Sequence, residues 1–143
     1  MDKFHIGRLL GFVFVFVNIF FLNVVIHEIG HYVAADYYNL EPKIEFDFGA
    51  VGDLGFGFKG TPVASTSFNE PDNSGALMAI VLTGPLFNLV LSLIFFSIFV
   101  FYRKNKYIKE IVIIGFILSF ASFIMNLIPL EGGDGSLIFE LLM

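Results

Sequence analysis

Three long apolar runs, separated by one extended polar stretch and one short basic one, set the pattern of this chain. The first, Leu9 to Ile26, is eighteen residues long with only Asn18 and Asn23 as clearly polar side chains. At 1.5 Å per helical residue it covers roughly 27 Å, close to the hydrocarbon thickness of a bilayer. The pattern predicts helices over about 8–35, 76–102 and 109–128. Asn73 or Ser74 is placed to cap the second, and Pro129 to end the third by turning its predecessor away from helical dihedrals. Within the second, Pro85 removes one backbone hydrogen bond and Asn88 puts an amide at membrane depth. Ser136 to Met143 reads as the start of another helix or a short cap.

The polar stretch between the first two runs contains two alternating segments, Ile44 to Phe48 and Leu54 to Phe58, either side of a Gly-Asp turn. They predict a β-hairpin over about 43–60 lying at the membrane surface. Such a hairpin either offers an edge to which an extended substrate adds as a strand, or simply covers a site. The fold class is therefore an all-α integral membrane protein: a three-transmembrane-helix core with a small β-hairpin in its first loop, residues 1–143 forming one membrane-embedded domain.

Composition agrees. The chain is 57% hydrophobic with 20 Phe and a mean hydropathy of +0.83, too apolar for a small soluble domain. A net charge of -5 weighs against a nucleic-acid partner. The absence of Cys excludes disulfides and thiolate ligands. Lys3 and Arg8 followed by an apolar run resemble a secretion signal, but the run is too long and contains ionisable groups, so a retained helix is expected. Tyr32, Tyr37 and Tyr38 fit one interfacial belt, and Tyr102 and Tyr107 the other. Lys3, Arg8, Arg103, Lys104, Lys106 and Lys109 outnumber Lys43 and Lys59, which by the positive-inside rule puts the N-terminus and the second loop in the cytoplasm.

The candidate chemistry lies at the end of the first run, in His27-Glu28-Ile29-Gly30-His31. Two histidines at i and i+4 project from one face of a helix, close enough to share a metal ion. A carboxylate beside one ligand can accept a proton from water without binding the metal. Isolated histidines are commonly satisfied core residues, but three ionisable groups at membrane depth each demand a partner. Asn23, one turn earlier, can orient a ligand or hold helices together, and Gly30 lets a neighbouring backbone approach. If the second helix returns, the first and third run the same way. The turn after Pro129 then carries Glu131 or Asp134 to the depth of His31 as a third ligand, and spacing alone does not choose between them.

Together, His27-Glu28-Ile29-Gly30-His31, Gly84-Pro85-Leu86-Phe87-Asn88 and Asn126-Leu127-Ile128-Pro129 with Asp134-Gly135 resemble the site-2 protease family of intramembrane zinc metalloproteases, in the family's order. The resemblance implies one Zn2+ held by His27, His31 and Asp134, with Glu28 as general base. It also implies Asn126 beside the scissile bond and a transmembrane protein as substrate; the mechanism expected of such a site has Asn126, with Asn88, donating to the tetrahedral oxyanion. In the family an aspartate is commonly followed by two glycines; here Gly132-Gly133 precede Asp134. The resemblance implies a site nearer the cytoplasm, against the charge bias, and a multi-pass protein of the cell membrane. The alternative reading is a catalytically inactive, metal-binding membrane scaffold of the same fold.

Overall fold

The computed structural model describes residues 3–46, 64–71 and 73–143. Its elements are α1 (Lys3–Tyr37), β1 (Lys43–Phe46), β2 (Ala64–Ser67), α2 (Ser74–Tyr102), α3 (Lys106–Leu127) and α4 (Asp134–Leu142). Three helical segments, Ile6–Tyr37, Ser74–Tyr102 and Lys106–Leu127, are long and apolar enough to cross a membrane. α2 and α3 begin two and three residues before the stretches their apolar runs mark, because capping side chains set their starts. Asn73 Oδ1 accepts the Ala76 N–H at 2.7 Å, and Asn105 Oδ1 accepts those of Tyr107 and Ile108 at 3.1 and 3.3 Å. At the far end of α3, Ile128 is extended (φ -75°, ψ 133°), as a residue before proline prefers.

α2 packs against both α1 and α3, more extensively than those two pack on each other. The crossing of α1 with α2 is made possible by glycine. A Cβ at Gly30 would stand 2.6 Å from the Thr83 carbonyl oxygen and 2.9 Å from Gly84 Cα, distances no real side chain tolerates. Most of the apolar surface faces outward. Phe14, Leu10 and Phe101 are 70%, 63% and 82% exposed, as suits helices whose outer solvent is lipid. What is buried is partly polar, with Asn88, Ser92 and Ser119 at 0%.

β1 and β2 pair antiparallel, Lys43 opposite Ser67 and Phe46 opposite Ala64. Among the described residues the strand that β1 meets is 64–67; the expected second strand over 54–58 lies, with the rest of 47–63, outside the described residues. The sheet rests on α1, and Asn69 N–H bonds to the Leu40 carbonyl oxygen at 2.9 Å, tying its end to the end of α1. The last segment is a helix whose first residue is Asp134, reached through a turn in which Gly132 adopts φ +80°.

Candidate metal centre

α1 brings His27 and His31 to one face, with ring centroids 4.7 Å apart, and Nε2 of each points at the other at 3.0 Å. α4 delivers Asp134 to the same point. Its Oδ2 is 2.9 Å from His27 Nε2 and 3.3 Å from His31 Nε2. The three ligand-bearing atoms all lie within 4.8 Å of one another. Among the two acids that compete for the third position, the structure brings in Asp134; Glu131 is exposed on the turn.

The surroundings fix these side chains from behind. His31 Nδ1 lies 2.9 Å from the Ile80 carbonyl oxygen, which only accepts, so Nδ1 carries the proton and Nε2 faces the other two ligands. Gly84 lies directly beneath the imidazoles, and a Cβ there would collide with the His31 ring. Asp134 opens α4, where the helix end favours a negative charge. Burial pushes its carboxyl up, but the adjacent imidazoles of His27 and His31 outweigh this and hold it at about 2. The carboxylate is therefore anionic at neutral pH and calls for positive charge between itself and the two imidazoles. Oδ2 is buried without a hydrogen-bond donor, and two imidazoles with one carboxylate are a donor set suited to a metal ion.

Glu28 borders the same cavity of about 440 Å³, together with Phe20, Val24, Thr66, Asn126 and Leu137. Thr66, from β2, donates its hydroxyl to Glu28 Oε2 at 2.7 Å and also lies 3.1 Å from the Glu28 carbonyl oxygen. The sheet thus reaches the carboxylate next to the metal ligands through one side chain. Sequence reasoning misses Thr66, since nothing in Ser65-Thr66-Ser67 distinguishes it from an ordinary polar loop.

Asn88 and Asn126 are brought together beside His27. Asn88 Nδ2 stands 3.2 Å and Asn126 Nδ2 3.4 Å from His27 Nδ1, the nitrogen that faces away from Asp134. Asn88 also donates to Ser122 Oγ at 2.8 Å. Asn88 is fully buried and does not line the cavity, whereas Asn126 does. Asn23 turns back on its own helix, donating to the Ile19 carbonyl oxygen at 2.8 Å, and so is not the residue that orients His27.

Three span-length helices, with two imidazoles from α1 and a carboxylate from the short α4 gathered at one end, define a membrane protein with a group suited to hold a metal ion. A family model, Peptidase family M50, matches residues 15–112, and the chain belongs to that family, the metalloproteases that include the site-2 proteases. The matched span takes in His27, Glu28, His31 and Asn88; Asn126 and Asp134 lie beyond it, and their place at the site rests on geometry. No curated protein and no solved structure matches the chain.

Proposed function

We propose that this protein is an intramembrane zinc metalloendopeptidase that hydrolyses peptide bonds within or near transmembrane segments of membrane-protein substrates in the cell membrane. The observation that carries this reading is the convergence of His27, His31 and Asp134 within 4.8 Å, with Glu28 on the wall of the same cavity. These three residues would hold one zinc ion, which when bound lowers the pKa of a water to roughly 7 and polarises a carbonyl.

The chain's own residues supply the rest. Glu28 accepts a proton from the attacking water and returns it to the leaving amine. Thr66 holds one oxygen of that carboxylate, leaving the other for the proton. Asn88, sealed from the cavity, orients His27: when Nε2 is a ligand, Nδ1 carries a proton and needs an acceptor. Asn88 Oδ1, buried without a partner, meets that need once the carboxamide turns over. Asn126, on the cavity wall, is the amide with a route to the tetrahedral oxyanion.

A substrate helix has its carbonyls hydrogen-bonded and must unwind before it can be cut. β2 lines the cavity through Ala64, Ser65 and Thr66, and so places a strand beside the site along which the unwound segment would lie.

The test is Glu28→Gln in detergent-purified protein offered transmembrane peptides. Removing a general base costs at least about 10²–10⁴-fold in rate while leaving all three ligands in place. Unchanged cleavage by the variant would refute the mechanism. A parent that binds zinc yet cleaves no offered peptide would instead support an inactive scaffold.

A further inference from the structure

At the end of the bundle away from His27, an open groove of about 620 Å³ lies between the first turns of α1 and α3. Its floor is Gly7, Gly11, Phe12 and Ile111, and its mouth carries Arg8 and Lys106. The two glycines leave it wide, since a Cβ at either would meet nothing within 4 Å. Arg8 and Glu110 bridge the two helices at 3.1 Å across the rim, with side chains 54% and 32% exposed. The first turns of α3, from Lys106 to Ile114, run along the groove, which by helical rise makes it about 12 Å long.

We propose that this groove binds an anionic phospholipid, its headgroup at Arg8 and Lys106 and an acyl chain along the glycine-lined floor. The groove's charge complements such a headgroup at the right depth. Arg8, Arg103, Lys104, Lys106 and Lys109 cluster at this end against Glu110 alone among the described residues, and no ion pair to Lys106 is found among them. Tyr102 and Tyr107, 54% and 79% exposed, mark the same level as headgroup depth. Basic pockets between transmembrane helices, apolar below and cationic above, are suited to acidic headgroups. The N-terminal ends of α1 and α3 add positive dipole there.

Two other occupants fit less well. A packed helix would bury Arg8, Lys106 and Glu110 at a desolvation cost that a phosphate headgroup avoids. A second copy of this chain would bring a second set of five basic residues against the first.

The chain has no Trp, so an Ile111→Trp reporter in the groove and a Leu93→Trp reporter on the lipid-facing side of α2 give clean signals. Each is reconstituted into phosphatidylcholine vesicles containing either brominated phosphatidylglycerol or brominated phosphatidylcholine at equal mole fraction. At Ile111→Trp the acidic lipid should be enriched about fivefold or more over the neutral one, as one or two basic side chains near a headgroup imply. At Leu93→Trp the two should quench alike. Lys106→Gln, and separately the paired Arg8→Gln with Glu110→Gln, should each lower the enrichment at Ile111→Trp. Equal quenching by both lipids in the groove overturns the proposal, as does selectivity that survives both changes. Quenching at Leu93→Trp but none at Ile111→Trp would mean that protein fills the groove, and overturns it too.

Discussion

α1 meets its neighbours in opposite ways at its two ends. Near its C-terminal end Gly30 faces Gly84, the backbones touch, and a polar network runs from Ser122 through Asn88, His27 and Asp134 to His31 and the Ile80 carbonyl. Near its N-terminal end Gly7 and Gly11 face open space, and one exposed ion pair joins α1 to α3 among the described residues. The same residue type, in one helix, builds contact at one end and vacancy at the other. What differs is the partner: α2 passes close by Gly30, while only the start of α3 stands across from Gly7. In a bilayer apolar packing carries little driving force, so close approach and buried hydrogen bonds determine where helices hold together.

That contrast is sharpest under alanine substitution. Gly84→Ala should displace the His31 ring and abolish metal binding, and Gly30→Ala should separate α1 from α2 with a similar loss; metal content of the purified variants measures both. Gly7→Ala and Gly11→Ala should leave metal content unchanged, and the gain in helix propensity, up to about 1 kcal/mol, would show as an unchanged or raised melting temperature. A loss of metal in either N-terminal variant would break the comparison.

Smaller effects probe the network itself. Asn88→Leu keeps all three ligands but removes the group behind His27, and should weaken metal affinity about 10–100-fold in a competition titration with a chelator. Thr66→Val should lower kcat about tenfold with KM and metal content nearly constant, as the loss of a hydrogen bond to a charged group implies, and Thr66→Ser should restore it. A change in KM alone would make Thr66 part of the substrate cleft instead. Arg8→Gln breaks only an exposed pair and should cost at most about 0.2–1 kcal/mol in denaturant unfolding.

The sequence carries the helices plainly, because an eighteen-residue run with only two clearly polar side chains has few other fates, and it carries His27, Glu28 and His31 because helical spacing alone puts the imidazoles together. Asp134 is legible only as one of two acids. Choosing between it and Glu131 depends on a glycine turn that exposes the one and points the other inward, which spacing does not encode. The partner of β1 is also illegible: Ala64-Ser65-Thr66-Ser67 lacks the alternation that marks Ile44 to Phe46, and pairs by virtue of the chain's return to α1. Asn23 and Asn88 are equally polar intrusions in apolar helices. Only the packing reveals that one bonds to its own helix and the other reaches a ligand.

Zinc per chain, measured on detergent-purified protein for the parent, Asp134→Ala and Glu131→Ala, should be one in the parent, lost with Asp134→Ala and kept with Glu131→Ala. A folded parent without zinc, or zinc that survives Asp134→Ala, would contradict the site described.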